Sequence, residues 1–228
     1  MRTVLFTGLL GSGKSTAVLS LASFLKEQGG PQSVAVIETE AGDKAVACEL
    51  SAGGSVLAED LTRGCVGCTS LTSGLCSTFD NLRSGTPPSW LLIEASSLGF
   101  QTIKDMVVQS LNDGAQPFTV LMIEAGGWAD LFEEAPLMAE GLAASADLAL
   151  VNLFTPLSRD VLAGIASGIS SANPGCLFKA ASVQQTSPGD LYRIFQEAGL
   201  GNETGQAAGA AAARGMADER ASVPSASA

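Results

Sequence analysis

The sequence predicts an α/β domain: a doubly wound, mostly parallel sheet with helices on both faces. Three observations predict it. Short, continuous apolar runs rich in β-branched residues recur along the chain, as in strands covered on both faces. Segments with helical spacing of apolar residues separate them, so each strand-to-strand crossover is read as a helix. Between the first apolar run and the first helical segment lies a glycine-rich turn ending in Lys14-Ser15, the strand–turn–helix junction that suits anions.

Taken in order, residues 3–7 open the chain as a strand, and residues 14–27 follow as a helix carrying Ala17, Leu19, Leu21, Phe24 and Leu25. Residues 33–37 read as the second strand. Residues 41–64 are rich in Gly, Ala and Ser with weak periodicity, and are expected to be irregular. Further strands are expected at 90–93, 118–123, 148–152 and 176–183. Helices are expected at 103–111, 129–144, 157–169 and 190–198. The segment Ser187-Pro188-Gly189-Asp190 has the composition of an N-cap followed by proline in the first turn. Residues 1–200 are therefore read as one domain. Residues 201–228, mostly Ala, Gly and Ser, form a low-complexity C-terminal tail expected to be disordered.

Composition narrows the function. The 228 residues include 12 Lys plus Arg and 23 Asp plus Glu, a net charge of −11. A 46% hydrophobic share with 15% charged residues supports a buried core. The acidity argues against non-specific nucleic-acid binding and disfavours an anionic membrane surface. No apolar run approaches the about 18 residues of a membrane span, and the N-terminus enters a strand without a signal-like segment, so a cytoplasmic location is expected. There is no histidine, which rules out Ser–His and Cys–His nucleophile pairs and leaves thiolates, carboxylates, amides and water as metal ligands. The five cysteines, Cys48, Cys65, Cys68, Cys76 and Cys176, are then thiols or metal ligands rather than a disulfide set.

Gly8-Leu9-Leu10-Gly11-Ser12-Gly13-Lys14-Ser15 fits the phosphate-loop pattern G-x-x-x-x-G-K-[ST] in its proper context. Gly8, Gly11 and Gly13 let the backbone curl so that successive N–H groups, with those of Ser12 and the helix start, face the phosphates. Lys14 is expected to neutralise the β- and γ-phosphates and Ser15 to ligate Mg²⁺. Thr16 is placed beside the α-phosphate. The apolar run 90–93 ends in Glu94, a carboxylate positioned to hold the Mg²⁺ shell or orient attacking water, with Ser97 in the turn that would sense the γ-phosphate. Glu38, Glu40 and Asp43 form an acidic cluster after the second strand, either completing the Mg²⁺ shell or lying in a solvated loop.

This loop and a Walker B strand ending in Glu resemble the Glu-type SIMIBI P-loop GTPases: the CobW-like proteins and the nickel-insertion GTPases of urease and hydrogenase, UreG and HypB. The stretch from Val36 to Gly42 resembles the family's Asn-Glu-x-Gly segment, Gly64-Cys65-Val66-Gly67-Cys68-Thr69 its Gly-Cys-x-Cys-Cys motif, and 120–130 and 146–152 its following strands. The likeness runs from Met1 to about Gln185. It implies nucleotide hydrolysis with Mg²⁺, favours Glu40 as a Mg²⁺ ligand, and implies a role in delivering metal or metallocofactor to a client enzyme. It assigns Asn152 to the base. The family's Asn-Lys-x-Asp stands here as Asn152-Leu153-Phe154-Thr155, so the acid that would accept from the guanine edge is missing and the nucleotide is GTP or ATP. The family's Glu-x-x-Gly turn carries Ser97 in place of glycine, and no counterpart of the CobW C-terminal domain is expected.

Cys65 and Cys68 supply two thiolates on one turn, half of a tetrahedral site. A homodimer would complete four thiolates around Zn²⁺ or a bridging [4Fe–4S] cluster, with Ni²⁺ the further candidate from the resemblance. Cys76 or Cys48 would instead complete a site within one chain. Structural or redox thiols are the plainer reading. Cys48 and Cys176 read as packing residues. Two other functions fit: a small-molecule P-loop kinase, for which no arginine-rich lid is evident, and a non-catalytic thiolate metal-binding or redox module with a degenerate nucleotide site.

Overall fold

The computed structural model describes residues 1–30, 33–39, 57–60, 69–85, 87–111 and 115–201. Expectations for 40–56 and 61–68, which include Glu40, Asp43, Cys48, Cys65 and Cys68, and for the tail from 202 onward lie outside the described residues.

Among the described residues the strands are β1 (Arg2–Thr7), β2 (Val34–Glu38), β3 (Leu57–Asp60), β4 (Trp90–Glu94), β5 (Phe118–Ile123), β6 (Leu148–Asn152) and β7 (Leu177–Ala181). The helices are α1 (Lys14–Gly29), α2 (Thr69–Ser84), α3 (Phe100–Ser110), α4 (Ala125–Glu134), α5 (Pro136–Ala144), α6 (Arg159–Ala172) and α7 (Pro188–Glu197). All seven strands pair in parallel, in the order β3-β2-β4-β1-β5-β6-β7. This is the doubly wound α/β architecture read from the sequence.

Each inner strand buries alternate side chains in two separate cores. On one face Val4, Phe6, Val36, Leu92, Val120 and Leu150 pack under α1 and α7. On the other, Leu5, Ile37, Ile93, Leu121 and Val151 pack under α2 to α6. That is why the strands read as unbroken apolar runs and not as an alternating pattern. The edge strand β7 is only half-buried. Its half-buried Lys179 pairs with Glu197 of α7 at 2.6 Å, placing a charge at the open edge.

Two expectations are corrected. The single helix expected over 129–144 is two, α4 and α5. Ala135 sits at φ −141, ψ 63 before Pro136, because proline's ring drives its predecessor out of the helical region. The segment expected to be irregular over 41–64 contributes β3, whose Leu57 pairs with Ala35 and Asp60 with Glu38. Leu-Ala-Glu-Asp has little strand propensity; the otherwise open edge of β2 supplies the ladder that such a segment lacks alone.

β1 lies between β4 and β5. The chain builds β2, β3 and β4 on one side of β1 and then crosses to build β5, β6 and β7 on the other. The crevice above the C-terminal end of β1 is thus the topological switch point, where open α/β sheets take their ligands. No described helix is long and apolar enough to cross a membrane.

Candidate functional site

The turn from β1 to α1 sits in that crevice. Gly8, at φ 141, presses against the carbonyl oxygen of Met122 in β5, leaving no room for a Cβ. Gly13, at φ 94, precedes α1 and lies on the side-chain amide of Asn152, which a Cβ would strike. These contacts explain why both positions must be glycine: the loop is wedged between β5 and the end of β6. α1 carries no acid of its own in its first turn, and the positive end of its dipole faces the crevice.

The Lys14 side chain is 3% exposed, and its ammonium donates to the carbonyls of Gly8 and Leu9, each at 3.0 Å. It crosses the loop from its far end to its start, holding a positive charge beside the backbone curl. The Ser12 hydroxyl is buried in the same loop without a hydrogen-bond partner among the described residues. Such an orphan is the kind of group a bound phosphate oxygen satisfies. Thr16 follows Ser15 inside the first turn of α1.

The Ser15 hydroxyl donates to Glu94 Oε1 at 2.9 Å, bridging 79 positions of sequence. Glu94 closes β4, pairs in register with Phe6 of β1, and is 2% exposed. Thr39, just beyond β2, donates its N–H and its hydroxyl to the Glu94 carbonyl at 3.1 and 2.9 Å. The strand end that bears the carboxylate is thereby fixed. Glu38 is in register with Glu94 on the neighbouring strand and is equally buried, at 2%. Register partners in a parallel pair project to one face, so these two carboxylates share the α1 face. The sequence reading singled out Glu40, which is not described, over Glu38; the signal for Glu38 was its place as the last residue of an apolar strand, like Glu94. A hydroxyl and two carboxylates are hard oxygen donors, a set that fits Mg²⁺.

After Glu94, Ala95 donates to the Phe6 carbonyl at 2.8 Å. Ser97 begins a short 3₁₀ turn, Ser97–Gly99, that leads into α3. It is half-buried, while Leu98 beside it is exposed. A further carboxylate, not assigned by the sequence reading, stands next to the loop. Glu124 caps α4 by accepting from Gly126 and Gly127 at 2.9 and 2.7 Å, and Gly127 lies against Leu9.

Asn152, read from the sequence as a base contact, is 3% exposed and braces the site. Its Nδ2 donates to the Ser12 carbonyl at 3.1 Å, and its Oδ1 accepts from the Val183 N–H at 3.0 Å. One amide thus ties the phosphate loop to the ends of β6 and β7.

Cys76 is exposed on α2. Among the described residues no three Cys, Asp or Glu side chains cluster as a metal site. Cys176 is half-buried just before β7, and burial pushes its thiol up to about 11. A thiol held protonated is a packing group, in line with its sequence reading.

Residues 2–154 match the model of the CobW/HypB/UreG nucleotide-binding domain. No curated protein is significantly similar to the chain. Among solved structures, hydrogenase maturation factor HypB from Archaeoglobus fulgidus is similar with a TM-score of 0.55 at 14% identity, over 86% of this chain and 88% of that one. The Zn(II)-bound YjiA GTPase from E. coli gives 0.54 at 17%, over 86% and 62%. The apo GTPase PAB0955 from Pyrococcus abyssi gives 0.50 at 15%, over 86% and 96%. At these identities the likeness is one of fold.

Proposed function

Because the chain belongs to the CobW/HypB/UreG family of nucleotide-binding domains, we propose that it binds and hydrolyses a nucleoside triphosphate in the service of metal or metallocofactor delivery to a client protein. One observation carries the catalytic half of this reading. The Ser15 hydroxyl of the phosphate loop meets the buried Glu94 carboxylate at 2.9 Å, beside a lysine that already spans the loop.

The chemistry follows from those positions. The Lys14 ammonium exchanges the Gly8 and Leu9 carbonyls for β- and γ-phosphate oxygens, which costs little because bonds to anionic oxygens replace bonds to neutral carbonyls. The loop N–H groups and the α1 dipole hold the remaining charge. Ser15 and Glu94, with Glu38 one strand away, would hold Mg²⁺, which when bound offsets charge on the phosphates. The Glu94 carboxylate also orients a water for in-line attack on the γ-phosphorus. The Ser97 turn follows it directly and would report whether the γ-phosphate is present.

Delivery rests on Cys65 and Cys68. Their thiolates suit a soft ion, Zn²⁺ or Ni²⁺, or half of a [4Fe–4S] site shared across a homodimer, with Cys76 as a third ligand in one chain. One structural relative is described as Zn(II)-bound and another as a hydrogenase maturation factor, which supports this assignment.

Phosphate release by the purified full chain with Mg²⁺ and GTP or ATP tests the hydrolysis. Glu94→Gln is expected to lower turnover at least about 100-fold while nucleotide still binds; undiminished turnover in that variant overturns the role of Glu94. Elemental analysis of anaerobically purified protein tests delivery. Metal in the wild type that is lost in Cys65→Ser supports it, and equal metal in both contradicts it.

A further inference from the structure

We propose that a cavity at the N-terminal end of the sheet is a second ligand site, separate from the phosphate loop, and that it takes a small planar aromatic carboxylate. Arg2 and Trp90 open β1 and β4, whose other ends carry the loop and Glu94. The cavity they line therefore lies at the opposite end of the sheet from the crevice. It measures about 650 Å³, within the range of small-molecule pockets.

Its walls come from four elements. Arg2 belongs to β1, Phe24 and Gln28 to the second half of α1, Trp90 to β4 and Tyr192 to α7. Backbone bonds tie the floor together: the Arg2 N–H donates to the Ser89 carbonyl and the Trp90 N–H to the Ser33 carbonyl, each at 2.9 Å. The one tyrosine of the chain and one of its two tryptophans meet in this place. The Tyr192 ring lies 4.8 Å from that of Phe24, tilted by 32°, and stands edge-on to Trp90 at 6.5 Å between centroids. Packing of α1 on α7 accounts for the contact between Phe24 and Tyr192. It does not account for a space of this size beside three rings, because close-packed interiors leave few voids.

Charge selects the ligand. Arg2 holds its guanidinium 5.0 Å over the Trp90 ring. It pairs with no carboxylate among the described residues, and none of those lining the cavity is acidic. In a chain of net charge −11 this is a spot of local positive potential. A cationic ligand would meet like charge there. A wholly apolar one would cover the guanidinium without pairing it. A carboxylate pairs with it through two parallel N–H bonds. The Gln28 amide and the Ser89 hydroxyl, both at exposed positions, add neutral donors. A flat ring finds its match in the half-buried rings of Phe24 and Tyr192.

Calorimetric titration of naphthalene carboxylate into the full chain, beside the neutral naphthalene carboxamide, tests this. The carboxylate is expected to bind saturably and at least about tenfold more tightly than the amide, the worth of one charge-assisted contact. Arg2→Gln, at an exposed position, should remove that preference. Tyr192→Ser, with circular dichroism as the check on folding, should weaken both ligands about fivefold by taking away a stacking wall. Absence of saturable binding overturns the inference, as does a preference for the carboxylate that survives Arg2→Gln. Unchanged affinities in folded Tyr192→Ser overturn the placement of the ring.

Discussion

Asn152 shows how one side chain sets the geometry of the site. Its amide satisfies the Ser12 carbonyl and the Val183 N–H, and it fills the space against which Gly13 turns. Asn152→Ala leaves both backbone groups buried without that partner, at a cost of about 1–3 kcal/mol each. In urea unfolding the midpoint should fall while the m-value stays constant. Lys14, Ser15 and Glu94 were legible in the sequence because a local motif or a strand end announces them. The bracing role of Asn152 was not, because it depends on a contact across 140 positions. Glu38 was read as one acid in a cluster although it ends an apolar strand; its register with Glu94 is a property of the sheet.

At the scale of elements, α7 closes the core beneath the loop. Ser187 caps it by accepting from the Asp190 N–H at 3.1 Å, and Phe195 packs edge-on against Phe6 of β1 with ring centroids 6.0 Å apart. Ser187→Ala should cost about 1 kcal/mol. Phe195→Ala should cost about 3–5 kcal/mol, because it opens a cavity beside the strand that feeds the phosphate loop. Equal losses from the two variants, measured by chemical denaturation, would contradict this packing. The cap was readable because Ser-Pro-Gly-Asp is a local signal. The break between α4 and α5 was readable in principle at Pro136, but the apolar spacing runs through it and masks the stop. β3 could not be read, since its four residues become a strand only by pairing with β2.

For the molecule as a whole, parallel topology buries both faces of the sheet and leaves the strand ends as the place for chemistry. This much was legible, because continuous apolar runs separated by helices permit little else. The pH response belongs to this scale. Burial, with the charge of Asp147 adding to it, raises the Cys176 thiol from 9.0 to about 11. The folded chain therefore keeps a proton that the unfolded chain releases between those values. This contribution is intact below pH 9.0 and is lost as pH rises toward 11. Cys176→Ala should show a shallower loss of stability than the wild type across that window in thermal melts. Parallel curves would show that the thiol is not held in this way.

All of these scales meet at the loop between β1 and α1, whose amides, ammonium and hydroxyl are arranged for a polyphosphate. Calorimetric titration of Mg²⁺ and nucleoside triphosphate into the wild type and Lys14→Ala, with circular dichroism as the check on folding, tests that claim most directly. The wild type should bind saturably and Lys14→Ala should lose at least about 100-fold in affinity, in keeping with the removal of a buried charge-assisted contact. Equal affinity in the two folded proteins would contradict it.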